Sequence, residues 1–458
     1  MTEEAVVKIY ATTQDPDYDS PWHARPPSAS TGSGVVVGED LILTGAHVVA
    51  NSTFIQVQKS EDPRKAIAEV CSISHDCDLA LLKVQEKDFL KGSTPPKIGG
   101  LPSLRDRVSV VGFPIGGDEV SITEGVVSRV EVQRYSHSQR ELLAVTVDAA
   151  INKGNSGGPV FKDGEIVGIA FQKLDDADGI GEMVPAPIIK HFLKLAPKFP
   201  RVRIPTLGIS TQGLENRAQR QKLGMREKET GVLCLTVDYG GSCWEVLQRH
   251  DVILEADGYP VANNATLHYR DRYRTRFDAL LGEKHIGEAI KLKILRHGKR
   301  LDLSVQLKSK SYLVPDSQYE QTPNYYIFGG LVFQPLSRDY LEVWSNWTTQ
   351  APDEFLHLYW SGYPTTEQQE VIVISQVLAD QINIGYENRY NESVKTINGV
   401  LPRTLSHLVE LIESSKTYVT IETSQDGHLV FDIDEAVGAQ RRILERYKIP
   451  ADRTQTKV

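Results

Sequence analysis

The sequence predicts a mainly β protein of several domains, and three observations support that fold class. The chain has 458 residues, which is more than one hydrophobic core usually holds. Its first two hundred residues contain many short apolar or alternating segments separated by Gly, Pro, Asp and Ser, a pattern typical of an antiparallel barrel or sandwich. Two later regions share one order of strand, turn and helix, which indicates two copies of one module.

The first domain is predicted to extend from residue 1 to 199. Its strand signals lie at residues 35–37, 41–43, 54–57, 79–84, 108–113, 125–130, 144–147 and 166–171. A helix is predicted over residues 187–195, because Ile188, Phe192 and Leu195 recur at helical spacing. The basic, proline-punctuated stretch 197–205 then predicts a linker to the next domain.

Residues 200–315 and 316–448 are predicted to form the two copies of the module, followed by a C-terminal tail at 449–458. In the first copy, the apolar run 251–254 precedes an Asp-Gly turn. In the second copy, apolar segments from 371 to 397 precede an Asn-Gly turn. A short apolar segment and a helix-like stretch follow each turn, so the two regions share their order of elements.

Composition argues against several classes of function. The net charge of −9 gives no attraction to nucleic acid or to an anionic membrane. No apolar run reaches the roughly 18 residues needed to cross a bilayer. The N-terminus has early acids and no long apolar core, so it does not look like a secretory signal. We expect a cytoplasmic protein, or a periplasmic or organellar one if a targeting segment was removed from this chain.

The four cysteines are too sparse to indicate a disulfide framework. Cys71, His75 and Cys77 lie close together and suggest metal ligands, but no second cluster completes a four-ligand site. Nothing resembles a nucleotide-binding P-loop. We therefore expect no metal and no other cofactor.

The most informative segment is Asn-Lys-Gly-Asn-Ser-Gly-Gly-Pro at residues 152–159. Cleavage of an amide needs an activated hydroxyl and donors aimed at the developing oxyanion. The glycines allow a sharp turn in which the N–H groups of Gly154, Asn155 and Ser156 converge, so Ser156 is a candidate nucleophile. Taken alone, the glycines fit a plain β-turn with an incidental serine equally well.

Two other segments supply the groups that would activate Ser156. His47 follows an apolar strand in Thr-Gly-Ala-His-Val-Val, and histidine can accept a hydroxyl proton near neutral pH. Asp78 stands at the mouth of the apolar run 79–84, where a buried carboxylate can hold the imidazole in one tautomer. Asp76 is expected to be an exposed loop acid.

The order of these residues separates two folds. Gly-Asn-Ser-Gly-Gly satisfies the G-x-S-x-G elbow of α/β-hydrolases, but those enzymes run serine, acid, histidine and place a helix after the serine. Here His47 and Asp78 both precede Ser156, and Pro159 begins an apolar strand. The chymotrypsin-like arrangement is therefore favoured.

The segments TGAHVV, DLALLKV and DAAINKGNSGGPV resemble the HtrA/Deg family of serine proteases, closest in pattern to the plant-type Deg proteases and their bacterial relatives. The resemblance covers residues 5–195 and implies a chymotrypsin-like double β-barrel. It also implies a triad of His47, Asp78 and Ser156, with residues 152–156 as the oxyanion loop. The stretch 175–183 falls at the family's specificity loop, and Ile151, Phe171 and Ile180 are candidate walls of an aliphatic substrate pocket.

The resemblance also identifies the repeated module as a PDZ-like α+β domain. The segment Thr206, Leu207, Gly208, Ile209 resembles the carboxylate-binding loop that opens a PDZ groove, and a simple turn before a strand is the alternative. The usual glycine before Asp251 is replaced by His250. In the third unit, residues 328–333 are the candidate loop, and a tryptophan-containing insertion follows that suggests assembly rather than peptide capture.

The implied function is ATP-independent serine endopeptidase activity on unfolded or damaged proteins, as part of protein quality control under stress. The family further implies a homo-oligomer, a trimer or a multiple of trimers. Tyr10, Tyr18 and Trp22 are candidate contacts between subunits, and an exposed, disordered arm at residues 15–30 is the alternative. A proteolytically silent PDZ scaffold or chaperone is the second functional hypothesis.

Overall fold

The computed structural model describes residues 2–60, 62–114, 117, 119–149, 151, 154–173 and 180–454. These residues form two compact units. The first unit contains the chain up to Gln14 together with Pro27–Val237 and Gly241–Lys310, and the second contains Asp15–Pro26, Asp238–Gly240 and the chain from Ser311. Within the described ranges, no helix is long and apolar enough to cross a membrane.

The first unit begins with an antiparallel barrel. Its strands are β1 (Val6–Thr13), β2 (Ser28–Val36), β3 (Leu41–Thr44), β4 (Ser52–Lys59), β5 (Lys65–Ser74) and β6 (Leu79–Val84), with the short helix α1 (Ala46–Val49) after β3. The sheet closes in the order β1-β2-β3-β6-β5-β4. β-Branched and aliphatic side chains such as Ile9, Val35 and Leu82 fill the core.

A second closed barrel follows in the same unit. Its strands are β7 (Arg107–Gly112), β8 (Ser121–Arg134), β9 (Glu141–Val147), β10 (Pro159–Lys162), β11 (Glu165–Lys173) and β12 (Gly181–Pro185). The order is β10-β11-β12-β9-β8-β7. Helix α2 (Ala186–Leu195) ends the domain and buries Ile188, Ile189 and Phe192, at the position predicted from the sequence. The expected double barrel is confirmed.

The stretch 197–205, predicted as a linker, is packed against the first barrel. The N–H of Ile73 donates to Pro200 O at 3.0 Å, and the N–H of Val202 donates to Ile73 O at 2.8 Å. Val202 and Ile204 are buried. The prolines and basic residues of this stretch indicated a solvent-exposed linker. Its alternating apolar residues instead give the connection one buried face.

The next sheet of the first unit matches the first PDZ-like copy. Its elements are β13 (Ile209–Gly213), α3 (Arg217–Lys222), β14 (Val232–Val237), β15 (Val252–Ala256), β16 (Tyr259–Pro260), β17 (Thr266–Tyr269), β18 (Tyr273–Arg276), a 3-10 helix (Phe277–Glu283), β19 (Ala289–Arg296) and β20 (Lys299–Gln306). The order β13-β14-β15-β19-β20 leaves β13 at an edge, and β17 with β18 forms a separate hairpin. His250, in place of the usual glycine, has a left-handed φ of 75°.

The β17–β18 hairpin is docked on the second barrel. The hydroxyl of Tyr273 donates to Pro102 O at 2.7 Å, and the Thr275 hydroxyl accepts from the N–H of Val132 at 2.7 Å. Phe277, which follows the hairpin, is buried in one hydrophobic core with the barrel residues. Within the first unit, therefore, the protease-like barrels and the first PDZ-like sheet share a continuous core.

The second unit contains the second PDZ-like sheet and most of its helices. Its elements are β21 (Tyr326–Phe328), β22 (Leu331–Pro335), α4 (Arg338–Leu341), α5 (Trp347–Gln350), α6 (Asp353–Ser361), β23 (Ile372–Val377), a 3-10 helix (Gln381–Asn383), β24 (Glu392–Ile397), α7 (Leu405–Glu413), β25 (Tyr418–Thr423), β26 (His428–Asp432) and α8 (Ile433–Tyr447). The strands follow one another in the order β21 to β26.

The segment Asp15–Pro26 belongs to this second unit. Tyr18 lies in a buried cluster with Leu336 and Phe355, and the ring of Trp22 meets that of Tyr325 edge-on at 5.9 Å. The alternative of an exposed arm does not hold at Tyr18 and Trp22, whose rings are packed inside the unit, whereas residues 23–30 are exposed. Tyr10, by contrast, lies on β1 in the first unit, with Lys65 Nζ 3.5 Å from its ring centre.

Candidate active site

His47 lies on α1, directly after β3. Gly45 precedes the helix, and a Cβ atom built there would lie only 2.7 Å from Cε1 of His47. Glycine at position 45 therefore lets the imidazole lie close to the backbone. The His47 side chain keeps 26% of its surface exposed, although its Nε2 atom is buried.

Asp78 is fully buried and makes two hydrogen bonds with His47. Its Oδ1 accepts from the backbone N–H of His47 at 2.8 Å, and its Oδ2 lies 2.7 Å from Nδ1 of the ring. The backbone of Asp78 has a left-handed φ of 54°, which Asp and Asn tolerate better than most residues. This local turn directs the carboxylate from the start of β6 toward α1.

Charge and hydrogen bonding outweigh burial in this pair. Burial lowers the pKa of His47, but the charge and hydrogen bond of Asp78 raise it further, so its pKa lies above the ordinary value. Burial raises the pKa of Asp78, but the imidazoles of His47 and His137 bring it below its ordinary value. Asp78 is thus ionised near neutral pH and favours the tautomer with the proton on Nδ1, which leaves Nε2 as the basic atom.

Ser156 lies in a tight turn over residues 154–158. Gly154 and Gly157 have φ values of 103° and 80°, which glycine adopts far more readily than other residues. The N–H of Gly157 donates to Ala170 O at 2.8 Å, and the carbonyl of Ser156 accepts from the N–H of Ser33 at 3.0 Å. The turn is thereby tied to both β11 and β2.

The hydrogen bond between Ser156 and His47 is not formed in this conformation. Among the described residues, Nε2 of His47 has no hydrogen-bond partner. Catalytic hydrogen bonds are often long or unformed without substrate and shorten when it binds. Residues 152 and 153 of the predicted oxyanion loop lie outside the described residues, and the roles of Gly154, Asn155 and Ser156 as oxyanion donors stay a prediction.

Ser33 supports the turn at residues 154–158, here called the nucleophile turn, and it was not among the residues predicted from the sequence. Its buried hydroxyl donates to Gly154 O at 2.7 Å and accepts from the N–H of Phe113 at 2.8 Å. These bonds fix the peptide plane between Gly154 and Asn155. The only local signal was a serine flanked by two glycines at 32–34, and its partners lie about 80 and 120 residues away along the chain.

The predicted pocket residues occupy different environments. Ile151 is buried and borders Gly181, whose Cβ position its side chain would overlap. Phe171 stacks on the buried ring of Tyr135, with ring centres 4.3 Å apart, and Ile180 is half-buried directly before β12. Residues 175–179 of the predicted specificity loop lie outside the described residues, so the pocket assignment stays a prediction.

A second group of residues surrounds the His47–Asp78 pair. His137 lies with its ring centre 6.2 Å from that of His47, and its Nε2 is 2.9 Å from Nδ1 of His75. Asp76, expected to be an exposed loop acid, instead pairs with the buried side chain of Arg140 at 3.0 Å and accepts from the N–H of Ile204 at 2.8 Å. That expectation is wrong, because the stretch 197–205 packs against the loop that carries Asp76.

The predicted carboxylate-binding loop of the first PDZ-like sheet precedes the edge strand β13. The carbonyl of Thr206 accepts from the Ser242 hydroxyl, and that of Leu207 accepts from the N–H of Cys243 at 3.0 Å. Gly208 has a left-handed φ of 67°. In the described residues β13 pairs with β14 alone, so its other edge is open to an added strand.

The second PDZ-like sheet differs at the same place. Its candidate loop, residues 328–333, contains a hairpin turn in which Gly329 and Gly330 have φ values of 58° and 82°. The turn pairs β21 with β22, so β21 occupies the edge that is open in the first sheet. The outer side of β21 is in turn bonded to the chain end, where Ile327 N–H donates to Asp452 O at 2.7 Å.

Two family models match the chain. A trypsin-like peptidase domain matches residues 32–169, which extend from β2 into β11 and include all three predicted triad residues. A PDZ domain matches residues 314–456, which contain the second PDZ-like sheet.

Relatives match over almost the whole length. The chain is 38% identical to the putative protease Do-like 3, mitochondrial, of Arabidopsis thaliana, over 98% of this chain and 79% of that protein. It is also 38% identical to protease Do-like 2, chloroplastic, of the same plant, over 98% of this chain and 74% of the relative.

Solved structures of the HtrA-type protease AlgW have a similar fold. The complex with a tripeptide is 25% identical, with a TM-score of 0.52, and covers 67% of this chain and 93% of that chain. The decapeptide complex is 23% identical, with a TM-score of 0.51, over 67% and 95% of the two chains, and shows the fold alone. The double barrel, the PDZ-like sheets and the plant relatives together show that this chain belongs to the HtrA/Deg family and is a serine endopeptidase.

Proposed function

We propose that this endopeptidase cleaves peptide bonds through a triad of Ser156, His47 and Asp78. The observation that carries the proposal is the pair of hydrogen bonds, 2.8 and 2.7 Å, by which the buried Asp78 carboxylate holds both the backbone and the ring of His47. An ionised acid at Nδ1 leaves Nε2 free to accept a proton, which is the property that a general base needs.

The reaction follows from these roles. Ser156 Oγ attacks the scissile carbonyl carbon while His47 Nε2 takes the hydroxyl proton, and backbone N–H groups of residues 154–156 stabilise the resulting oxyanion. The imidazolium then gives its proton to the leaving amine, which departs as the C–N bond breaks and an acyl-enzyme remains. Water, deprotonated by His47, attacks the acyl carbon, and Ser156 leaves with the proton returned to it.

Substrate access is proposed to control this site. Because Nε2 of His47 has no hydrogen-bond partner among the described residues, we propose that substrate binding completes the triad. Extended, unfolded segments are the proposed substrates, since they can add to strand edges without prior unfolding. Cleavage of such segments needs no coupled ATP hydrolysis, so we propose ATP-independent degradation of unfolded or damaged proteins.

The first PDZ-like sheet is proposed to capture peptides and to regulate the protease. The open edge of β13 and the left-handed Gly208 give it the parts of a peptide groove. Arg140 donates to the carbonyls of Ile204 and Pro205, directly before Thr206, while it pairs with Asp76 near the triad. A peptide that moves this loop would thereby act on the chain segment that carries Asp78.

The second PDZ-like domain is proposed to serve assembly instead, because its own strand β21 fills the equivalent edge. The proposed assembly is a homo-oligomer, a trimer or a multiple of trimers, and measurement of the mass in solution tests it.

The mitochondrial and chloroplastic names of the plant relatives support an organellar location, which fractionation of the source cells tests.

The proposed activity is tested with unfolded casein and with a fluorophosphonate probe that labels reactive serines. We expect native protein to cleave casein without ATP and to be labelled at Ser156, and we expect Ser156→Ala to lose both properties while it keeps its circular dichroism spectrum. Labelled protein that leaves casein intact would favour another substrate class. Folded protein that is neither labelled nor active would favour the scaffold or chaperone alternative.

A further inference from the structure

Two histidines outside the proposed triad form a pair beside it. Nδ1 of His75 and Nε2 of His137 are 2.9 Å apart, which is hydrogen-bond distance for two imidazole nitrogens that share one proton. The ring centres of His75 and His137 are 5.2 Å apart, and the His137 ring meets that of His47 in an edge arrangement at 6.2 Å. The His137 ring is thus in contact with the rings of both His75 and the proposed general base, His47.

The backbone around this pair is fixed by its own bonds. The Ser138 hydroxyl donates to Asp76 O at 2.9 Å, and Arg140 pairs with the Asp76 carboxylate at 3.0 Å. The loop that carries His137 is therefore attached to the loop that carries His75 and Asp78. These bonds hold the histidine pair at a fixed distance from the triad.

Several other ionisable groups near the histidine pair carry no net charge. Arg140 and Asp76 neutralise each other, and burial raises the pKa of the Cys77 thiol to about 12, so it stays neutral. Burial also raises the pKa of Tyr135, whose hydroxyl donates to Leu143 O. Among the described residues, the ionisable groups recorded against His137 are His47 on α1 and His75 and Asp78 in the loop before β6. Asp76, Cys77, Tyr135 and Arg140 lie in the same two loops, and Glu182 of β12 acts on Tyr135.

We propose that His137, supported by His75, is a positioning residue of the protease reaction that sets the lowest pH at which His47 can act as the base. This inference rests on the proposed triad. Two imidazoles joined by a hydrogen bond take up one extra proton readily, because the bond becomes charge-assisted, and resist a second one. The proposed role requires that the pair hold one such extra proton, and so a single positive charge, beside His47.

That charge acts on two members of the proposed triad, Asp78 and His47. A cation on the pair stabilises the Asp78 carboxylate and disfavours a second cation on His47. His47 consequently stays neutral, and able to accept the Ser156 proton, at a lower pH than it would without its neighbour. The protease is expected to keep activity in mildly acidic conditions for this reason.

The test measures the rate of fluorophosphonate labelling of Ser156 from pH 5 to 9, together with kcat and KM for a peptide substrate. In His137→Asn, the ratio of the rate at pH 6 to that at pH 8 should fall about three- to tenfold, because the charge next to His47 is lost. His75→Asn should change the ratio in the same direction. His137→Arg carries a permanent charge and should raise the ratio above that of the wild type.

The opposite effects of the asparagine and arginine variants separate this role from a structural one. His428→Asn, at an exposed histidine of β26, is the matched control and should leave the pH profile unchanged. Identical profiles for wild type and His137→Asn, or a fall of the ratio in both His137 variants, would overturn the inference. Failure of the wild type itself to label Ser156 would instead overturn the triad proposal, and this inference with it.

Discussion

Asp78 combines an unusual backbone conformation with a fully buried carboxylate. Its left-handed φ of 54° suits aspartate and asparagine, so Asp78→Asn changes the hydrogen-bonding character of the side chain without adding backbone strain. The amide can donate to Nδ1 of His47 and so favours the wrong tautomer. We expect kcat to fall about 10⁴-fold with little change in fold, measured on a peptide substrate and by circular dichroism.

The same variant should shift the pH dependence in a defined direction. The carboxylate raises the pKa of His47 above its ordinary 6.5, so wild-type activity is lost as the pH falls through that raised value. Asparagine removes the negative charge that stabilises protonated His47. The pH at which the residual activity is lost on acidification should therefore move to a lower value. A pH value that does not move, or near-normal turnover, would mean that another acid serves His47.

The sequence identified His47, Asp78 and Ser156 as candidates because each stands in a short motif with its own chemical logic. Ser33 and His137 could not be found in this way. Ser33 acts through Gly154 and Phe113, which are distant along the chain, and His137 through His75, 62 residues earlier. Contacts of this kind depend on strand register, which a local pattern does not contain.

At the scale of elements, the nucleophile turn depends on β2 as much as on its own glycines. Ser33→Ala removes the donor to Gly154 O and leaves the buried N–H of Phe113 without its acceptor. We expect a loss of about 1–3 kcal/mol in the free energy of unfolding and about ten- to a hundredfold slower labelling of Ser156. Ser30→Ala, at the exposed end of the same strand, is the control and should change neither quantity.

The two PDZ-like sheets should respond differently to a peptide with a free C-terminal carboxylate. Hydrogen exchange should slow at the open strand β13 when the peptide binds. Strand β22 is already paired on both sides, by β21 and β23, so its exchange should be slow without peptide and unchanged with it. An amidated peptide is the control, and protection of β22 instead of β13 would reverse the proposed roles.

The internal repeat predicted two related sheets, and the structure has them in matching strand orders. The sequence reasoning did not anticipate that β21 would fill one edge. Gly329 and Gly330 stand between apolar segments, which is a strong hairpin signal, but the analogy with Thr206–Ile209 favoured a binding loop. Analogy between the repeats thus predicted the second sheet, whereas the pairing of β21 within that sheet did not follow from it.

At the scale of the whole molecule, the compact units do not coincide with the three domains that the sequence predicts. The barrels and the first PDZ-like sheet share one core, while Asp15–Pro26 joins the second PDZ-like sheet. Sequence patterns mark the ends of local elements, whereas the units arise from packing between distant segments such as Tyr18 and Phe355. The predicted domain boundaries at 199 and 315 therefore stay predictions.

Because the core is shared, a cavity in the core next to the first PDZ-like sheet should also destabilise the protease barrels. Phe277 is 2% exposed, so Phe277→Ala should cost about 3–5 kcal/mol and lower the urea concentration at which Ser156 labelling is lost. Phe431→Ala, a matched change in the core of the second unit, should leave that midpoint in place and shift the tryptophan fluorescence transition instead. Equal midpoints for labelling in wild type and Phe277→Ala would mean that the barrels unfold independently of the sheet docked on them.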